Sequence, residues 1–126
     1  MKFNYKKYGR GVLRPVIPIE VRFGSKSMFY DVLIDSGADF CVFDGRIADI
    51  LGIKLDKSKK QMMVGITGKA EPYYSQKVTI VVGGWSHTAE VGFKPNLAGP
   101  GYGVVGQKGF FDNIIALLKH IFNMTD

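Results

Sequence analysis

The sequence predicts a mainly β domain with one short internal helix and one C-terminal helix. Runs of β-branched and aromatic residues alternate with glycine-containing turns over residues 12–93, a pattern typical of short strands in a sheet. By contrast, the segment from Phe110 to Phe122 has apolar residues at helical spacing, which predicts a packed helix. A chain of 126 residues supports a single core, and we therefore expect one domain spanning 1–126.

The first two predicted strands form a hairpin that ends at a carboxylate. Residues 12–23 include two prolines, which favour a sheet edge or the start of a strand. A turn over 24–27 leads into the second strand, 28–34, whose apolar end is followed directly by Asp35. The pattern predicts an aspartate that a buried strand delivers into a turn.

A short helix is predicted after this turn. Residues 40–43 form an extended apolar piece, and residues 44–51 then have apolar side chains at helical spacing. Asp44 can act as the N-cap and Gly52 can end the helix, because Asp and Gly are favoured at these two positions.

A projecting hairpin is predicted in the second half of the chain. Strand-like runs over 59–64 and 73–82 flank a glycine-containing stretch, 65–72, which indicates an exposed tip. A further strand over 86–93 follows, and a loop rich in proline and glycine spans 94–103.

The composition favours a soluble globular protein with a basic surface. Hydrophobic residues make up 46% and charged residues 22% of the chain, which is ordinary for a packed domain. The net charge of +6 is carried partly by two clusters, Lys6, Lys7, Arg10 and Arg14, then Lys54, Lys57, Lys59 and Lys60. Such clusters can attract phosphate backbones or acidic protein segments. Solvated faces are the commoner explanation, and nucleic acid is not expected as a partner because no recognised nucleic-acid motif accompanies these clusters.

Several classes of protein are disfavoured. The N-terminal residues lack the apolar region of a secretory signal, and the apolar run Ile114–Leu118 is far shorter than a bilayer span. We therefore expect a cytoplasmic protein without a membrane partner. Cys41 is the single cysteine, so neither an internal disulfide nor a zinc module is expected, and we predict no metal and no cofactor.

Asp35 is the first candidate for chemistry. Apolar residues precede it and Gly37 follows it, and burial of a carboxylate often accompanies a functional acid. An aspartate that only caps a turn explains Asp-Ser-Gly equally well. The local residues alone leave both interpretations open.

The wider pattern resembles a known family. The segment Ile34–Asp39, Ile-Asp-Ser-Gly-Ala-Asp, resembles the catalytic signature of the retropepsins, the aspartic peptidases of retroviruses and their cellular relatives. Three further stretches are similar to the family in the same order: Ala48–Ile53 to a short helix ending in Leu-Gly, Gly65–Gly68 to a glycine-rich flap tip, and Val104–Gly106 with Phe110 and Phe111 to the hydrophobic-hydrophobic-glycine motif and the helix after it. The resemblance covers roughly residues 12 to 118.

This resemblance implies an acid-protease closed barrel with a flap hairpin, acting as a homodimeric aspartic endopeptidase on peptides. Asp35 of each subunit would share one water and one proton, as in a carboxylate dyad. The catalytic-loop support would come from Ser36, Gly37 and Ala38. The substrate would be bound by Gly37, Asp39, Gly65, Ile66, Thr67 and Gly68.

Two departures from the family pattern favour an alternative. Gln107 follows the glycine of the threaded motif, where viral members usually have an arginine that supports the second aspartate of the turn, here Asp39. The predicted C-terminal helix also replaces the strand that interleaves across viral dimers. The alternative is a catalytically inactive dimerisation or peptide-binding module with the same fold.

Two other motifs carry less weight. Residues 101–106, Gly-Tyr-Gly-Val-Val-Gly, match the dinucleotide fingerprint, but no strand precedes them and no βαβ unit follows. Cys41 could be a nucleophile with His87 or His120 as base, yet its apolar neighbours predict an inert core thiol. His87 is predicted to be a surface turn residue.

Overall fold

The computed structural model describes most of the chain. The described residues are 4–8, 12–35, 37–64, 68–95, 97 and 103–115, with side chains from residue 16 onward. Their strands are β1 Asn4–Tyr8, β2 Val12–Phe23, β3 Lys26–Ile34, β4 Cys41–Asp44, β5 Lys60–Val64, β6 Ala70–Val82, β7 Trp85–Lys94 and β8 Gly103–Val105. The helices are α1 Gly45–Ile50, a 3-10 turn over Lys57–Lys59, and α2, whose described part is 111–115.

Six of the strands close into a barrel in the order β2, β3, β8, β4, β7, β6 and back to β2. The ring closes because the end of β2 has two neighbours: Glu20, Val21 and Arg22 pair with β3 on one side and with β6 on the other. β1 and β5 extend the sheet at its two ends. The predicted mainly β fold with a closed barrel is confirmed.

The two prolines of β2 favoured a sheet edge or the start of a strand, but the structure places both within an inner strand. β2 is an inner strand, since residues 12–16 pair with β1 and residues 20–22 with β6. Pro18 falls in the interval between them, where β2 pairs with β3 alone. Pro18 has no N–H to donate, but because only β3 pairs with β2 at this position, no second strand loses a hydrogen bond.

The barrel interior is packed with alternating side chains from its strands. Ile17, Ile19 and Val21 on β2 are each at most 1% exposed, as expected when every second residue faces the core. Phe43 packs edge-to-face against Tyr30, with ring centroids 5.3 Å apart. Each large side chain buried in this way contributes about 1.5–3 kcal/mol relative to exposure.

Helix α1 begins at the predicted cap. Asp44 is 4% exposed, and its Oδ1 accepts a hydrogen bond of 2.9 Å from the backbone N–H of Arg46. The Arg46 guanidinium donates to Asp44 Oδ2 at 2.8 Å, and this hydrogen bond is the main reason why the pKa of Asp44 is lowered. At the other end Gly52 takes a positive φ of 72°, the conformation that favours glycine after a helix.

We expect Asp44→Asn to be less stable than the wild type at neutral pH, and we expect this difference to shrink at a strongly acidic pH. The folded pKa of Asp44 lies below its ordinary value of 3.8, so its charge stabilises the fold above that value and ceases to do so as the pH falls through the folded pKa. Asparagine still caps the helix, whereas Asp44→Ala should lose about 1–2 kcal/mol at both pH values. Urea unfolding at the two pH values measures both variants, and a pH-independent deficit of Asp44→Asn would contradict the assignment.

The terminal elements differ from the prediction in extent. A helix was predicted over 110–122, and the chain is helical over 111–115, while 116–126 lie outside the described residues. The pattern did not predict β1, and β6 begins at Ala70 instead of residue 73. In the part of the chain that the structure describes, no helix has the length and hydropathy needed to cross a membrane.

Candidate active site

The turn that contains Asp35 lies where three strands meet. β3 ends at Ile34, and β4 begins after the turn at Cys41. β8 inserts between them, parallel to β3 with Ile34 opposite Val105, and antiparallel to β4. The backbone N–H of Asp35 donates to the carbonyl oxygen of Val105 at 3.0 Å. The last strand of the barrel therefore fixes the start of the turn.

The Asp35 carboxylate is oriented by its own turn. Its Oδ1 accepts a hydrogen bond of 2.9 Å from the backbone N–H of Gly37, and its carbonyl oxygen accepts one of 3.1 Å from Ala38. A Cβ on Gly37 would lie 3.2 Å from Oδ1. The side chain of Asp35 is exposed in the single chain, although the apolar strand before it predicted a buried setting. The surface that would cover this carboxylate is therefore not supplied by the described part of its own chain.

Gly106 passes against the turn that contains Asp35 with no room for a side chain. A Cβ at Gly106 would lie 2.5 Å from the carbonyl oxygen of Ala38 and 2.8 Å from that of Phe40. This close approach allows the next two backbone N–H groups to reach the turn. Gln107 donates to Ala38 at 2.8 Å, and Lys108 donates to Asp39 at 2.9 Å.

These two hydrogen bonds bear on the replacement of the usual arginine by Gln107. They hold the turn through backbone atoms, so this part of the support does not depend on the side chain at position 107. Backbone N–H groups are strong donors whose pairing fixes loop geometry. The replacement of the arginine by Gln107 therefore does not remove the backbone hydrogen bonds to Ala38 and Asp39.

The predicted projecting hairpin is present. β5 pairs with the first part of β6 from Lys60 opposite Tyr74 to Val64 opposite Ala70. The predicted tip residues Gly65, Ile66 and Thr67, and also Ser36 of the turn, lie outside the described residues. At the end of the predicted tip, Gly68 has a φ of 80° with open space around it.

An aromatic contact between the end of the turn that contains Asp35 and this hairpin was not predicted. Phe40 stacks on Tyr73 with ring centroids 5.3 Å apart, and the Tyr73 hydroxyl donates to Gln61 of β5 at 2.7 Å. Gly92 permits the contact, since a Cβ there would lie 2.9 Å from Tyr73 and 3.2 Å from Phe40. A cavity of about 290 Å³ lies beside these rings and reaches Lys108. The sequence feature that could have indicated this contact was Gly92, because a glycine inside a strand often marks a close approach of another group.

The thiol and imidazole alternatives are not supported by the geometry. Cys41 is fully buried, and burial raises the pKa of its thiol to about 11, so the reactive thiolate is scarce at neutral pH. His87 was predicted to be in a surface turn, but it lies within β7. Its Nε2 lies 2.9 Å from the carbonyl oxygen of Gly109, and because a carbonyl only accepts, this nitrogen is the donor. His87 therefore ties β7 to the segment after Gly106.

Comparisons with known proteins agree with this geometry. The sequence profile of a family described as aspartyl protease matches residues 19–107. The fold is similar to that of the EIAV protease complexed with the inhibitor HBY-793, with a TM-score of 0.57, 21% identity, and coverage of 83% of this chain and 88% of that one. A retropepsin-like aspartic protease from Rickettsia conorii has a TM-score of 0.47 and 16% identity, with coverage of 75% and 67%. No curated protein matches the sequence.

Proposed function

The chain belongs to the aspartyl protease family, and from this premise we propose that it is a homodimeric endopeptidase whose two Asp35 carboxylates share one active site. The family profile covers more than half of the chain, which makes it an aspartic-type peptidase with a retropepsin-like barrel. The catalytic role of Asp35, the homodimer and the roles of the other residues belong to this proposal.

The observation that carries this proposal is the orientation of the Asp35 carboxylate at the meeting point of β3, β4 and β8. The Gly37 N–H holds one carboxylate oxygen, while the side chain as a whole remains exposed. Asp-Ser-Gly occurs once in the sequence. An aspartic peptidase needs two carboxylates, so a second copy of the chain is the natural source of the other.

The two carboxylates divide the acid and base roles between them. Two carboxylates so close cannot both stay ionised, because like charges destabilise each other. The ionised one takes a proton from a bound water as the water oxygen attacks the peptide carbonyl carbon. The protonated one gives its proton to the carbonyl oxygen, which forms a tetrahedral diol. In the collapse of the diol the ionised carboxylate takes the proton of one diol hydroxyl, whose oxygen becomes the carbonyl oxygen of the product acid. The C–N bond breaks, and the protonated carboxyl gives its proton to the leaving nitrogen, which returns the pair to its starting state.

The other predicted residues take supporting roles in this proposal. Ser36 would hydrogen-bond across the dimer beneath the dyad, and Gly37 and Asp39 would contact the substrate backbone. Gly37 and Asp39 are both exposed on the turn, and the backbone N–H of Lys108 fixes the carbonyl oxygen of Asp39. The hairpin of β5 and β6 would close over an extended peptide and exclude water.

The test is cleavage of a diverse peptide mixture, followed by mass spectrometry from acid to neutral pH. The wild type should cut a defined subset of peptides, and Asp35→Asn should cut none while keeping the same circular dichroism spectrum. Specific activity should also fall on dilution, because a dimeric site is lost when subunits separate. Folded, dimeric wild type that cuts nothing at any pH would favour the alternative, a peptide-binding module without catalysis.

A further inference from the structure

A lysine cluster lies directly before the hairpin that we propose as the flap. We define it as Lys54, Lys57, Lys59 and Lys60, all of which are exposed. The ion pairs among the described residues involve none of these four side chains. The one acidic residue between them, Asp56, uses its Oδ1 to accept from the N–H and the hydroxyl of Ser58 at 2.9 and 2.7 Å. The cluster therefore has a net positive charge that faces solvent.

The cluster is continuous with an open strand edge. Lys60 is the first residue of β5, and β5 is the terminal strand of the sheet, paired with β6. In the part of the chain that the structure describes, its other edge has no neighbouring strand. Such an edge can accept an extended peptide through backbone hydrogen bonds.

The same strand also presents apolar side chains. Met62 is 55% and Val64 is 72% exposed, and both lie on the same face of β5 as Lys60 because side chains alternate along a strand. A peptide that follows this edge from Val64 passes two apolar side chains and then meets Lys60 after about 13 Å, at ~3.3 Å per residue. Lys57 and Lys59 belong to the 3-10 turn that leads directly into Lys60, and Lys54 precedes that turn, so the chain before β5 carries further positive charge.

We infer that the preferred substrates carry an acidic segment that binds the lysine cluster. This segment lies at least about four residues beyond the part of the peptide that faces Val64. The estimate of four residues follows from the length of β5. This inference rests on the proposed function. In a twofold dimer each end of an extended substrate would approach one cluster, so the acidic segment can lie on either side of the cleaved bond.

The test uses one peptide that the wild type cleaves, extended at either end by four glutamates or, as the neutral control, by four glutamines. At low salt we expect kcat/KM to be roughly three- to tenfold higher for the glutamate peptide, and we expect this preference to disappear at high salt. Lys57→Gln/Lys59→Gln should lose most of the preference while cleaving the glutamine peptide like the wild type.

The matched control is Arg22→Gln/Lys77→Gln, which also removes two positive charges, but from exposed positions on β2 and β6. This variant should keep the preference. If both variants lose it equally, the effect comes from net charge, and the inference is wrong. Equal cleavage of both peptides by the wild type would also overturn it. The lysines would then be explained by protection of the β5 edge against pairing with the sheet of another molecule.

Binding separates this inference from the proposed function. Fluorescence anisotropy of both labelled peptides on Asp35→Asn does not require catalysis, and it should show tighter binding of the glutamate peptide that depends on Lys57 and Lys59. Preference in binding without any cleavage by the wild type would support the inference and contradict the peptidase. Lysine-dependent binding of an RNA oligonucleotide, with no discrimination between the peptides, would overturn the inference in favour of a nucleic-acid surface.

Discussion

Refolding equal amounts of wild-type and Asp35→Asn chains together should leave about one quarter of the activity of the same total amount of wild type. Random pairing gives one quarter wild-type dimers and one half mixed dimers, and a mixed dimer has only one of the two carboxylates that the mechanism requires. A site complete within each chain would leave about one half. Asp35→Asn alone should lose at least about 10³-fold in kcat/KM, since it removes both acid and base.

The matched control for this experiment is Asp49→Asn. Asp49 is an exposed aspartate of α1, so the same chemical change is made away from the turn. Its mixtures with wild type should keep full activity at every ratio. Sedimentation velocity must show that all mixtures contain the same amount of dimer, and a residual activity near one half in the Asp35→Asn mixture would refute a shared site.

Gly106→Ala should unfold the protein at ambient temperature or lower its free energy of unfolding by about 3 kcal/mol or more. The new methyl group would lie 2.5 Å from the Ala38 carbonyl oxygen and 2.8 Å from that of Phe40, and neither is a flexible side-chain end that can move away. Overpacking usually costs about 1–3 kcal/mol. Here relief also requires shifting the backbone that Gln107 and Lys108 hold.

Gly84→Ala provides the contrast for this prediction. Gly84 has a φ of 82°, with nothing within 4 Å of a built Cβ, so its substitution measures backbone strain without a clash. We expect a loss of about 1 kcal/mol, measured by urea unfolding beside Gly106→Ala. If any folded Gly106→Ala is recovered, its peptidase activity should fall further than its stability explains. Equal effects of the two variants would show that the turn adapts to the methyl group.

The sequence was most informative where local chemistry determines structure. Asp44 was predicted as a cap and Cys41 as a core thiol, because capping and burial depend on a few neighbouring residues. The hairpin of β5 and β6 was also predicted, since alternation and glycines mark strands and turns. The family resemblance then gave the barrel, and the family profile and fold similarity confirm it.

The features that were missed depend on distant parts of the chain. His87 was placed in a surface turn from its neighbours Trp85 and Ser86, but its Nε2 bonds the carbonyl oxygen of the distant Gly109. The stacking of Phe40 on Tyr73 depends on the absence of a side chain at Gly92. The exposure of Asp35 could not be predicted either, because an apolar strand before a residue does not reveal what covers the residue itself.

The late position of β8 has a consequence for synthesis. β8 pairs with β3 across about seventy residues of sequence, from Val32 to Gly103, and such distant pairings form slowly. Because the ribosome delivers residues in order, the emerging chain exposes two unpaired edges, at β3 and β4, until Gly103–Val105 leave the exit tunnel. Up to that moment the backbone N–H of Asp35 lacks its hydrogen bond to the carbonyl oxygen of Val105, so the start of the turn that contains Asp35 is not yet fixed. At this stage the unpaired edges make the nascent chain most prone to aggregation.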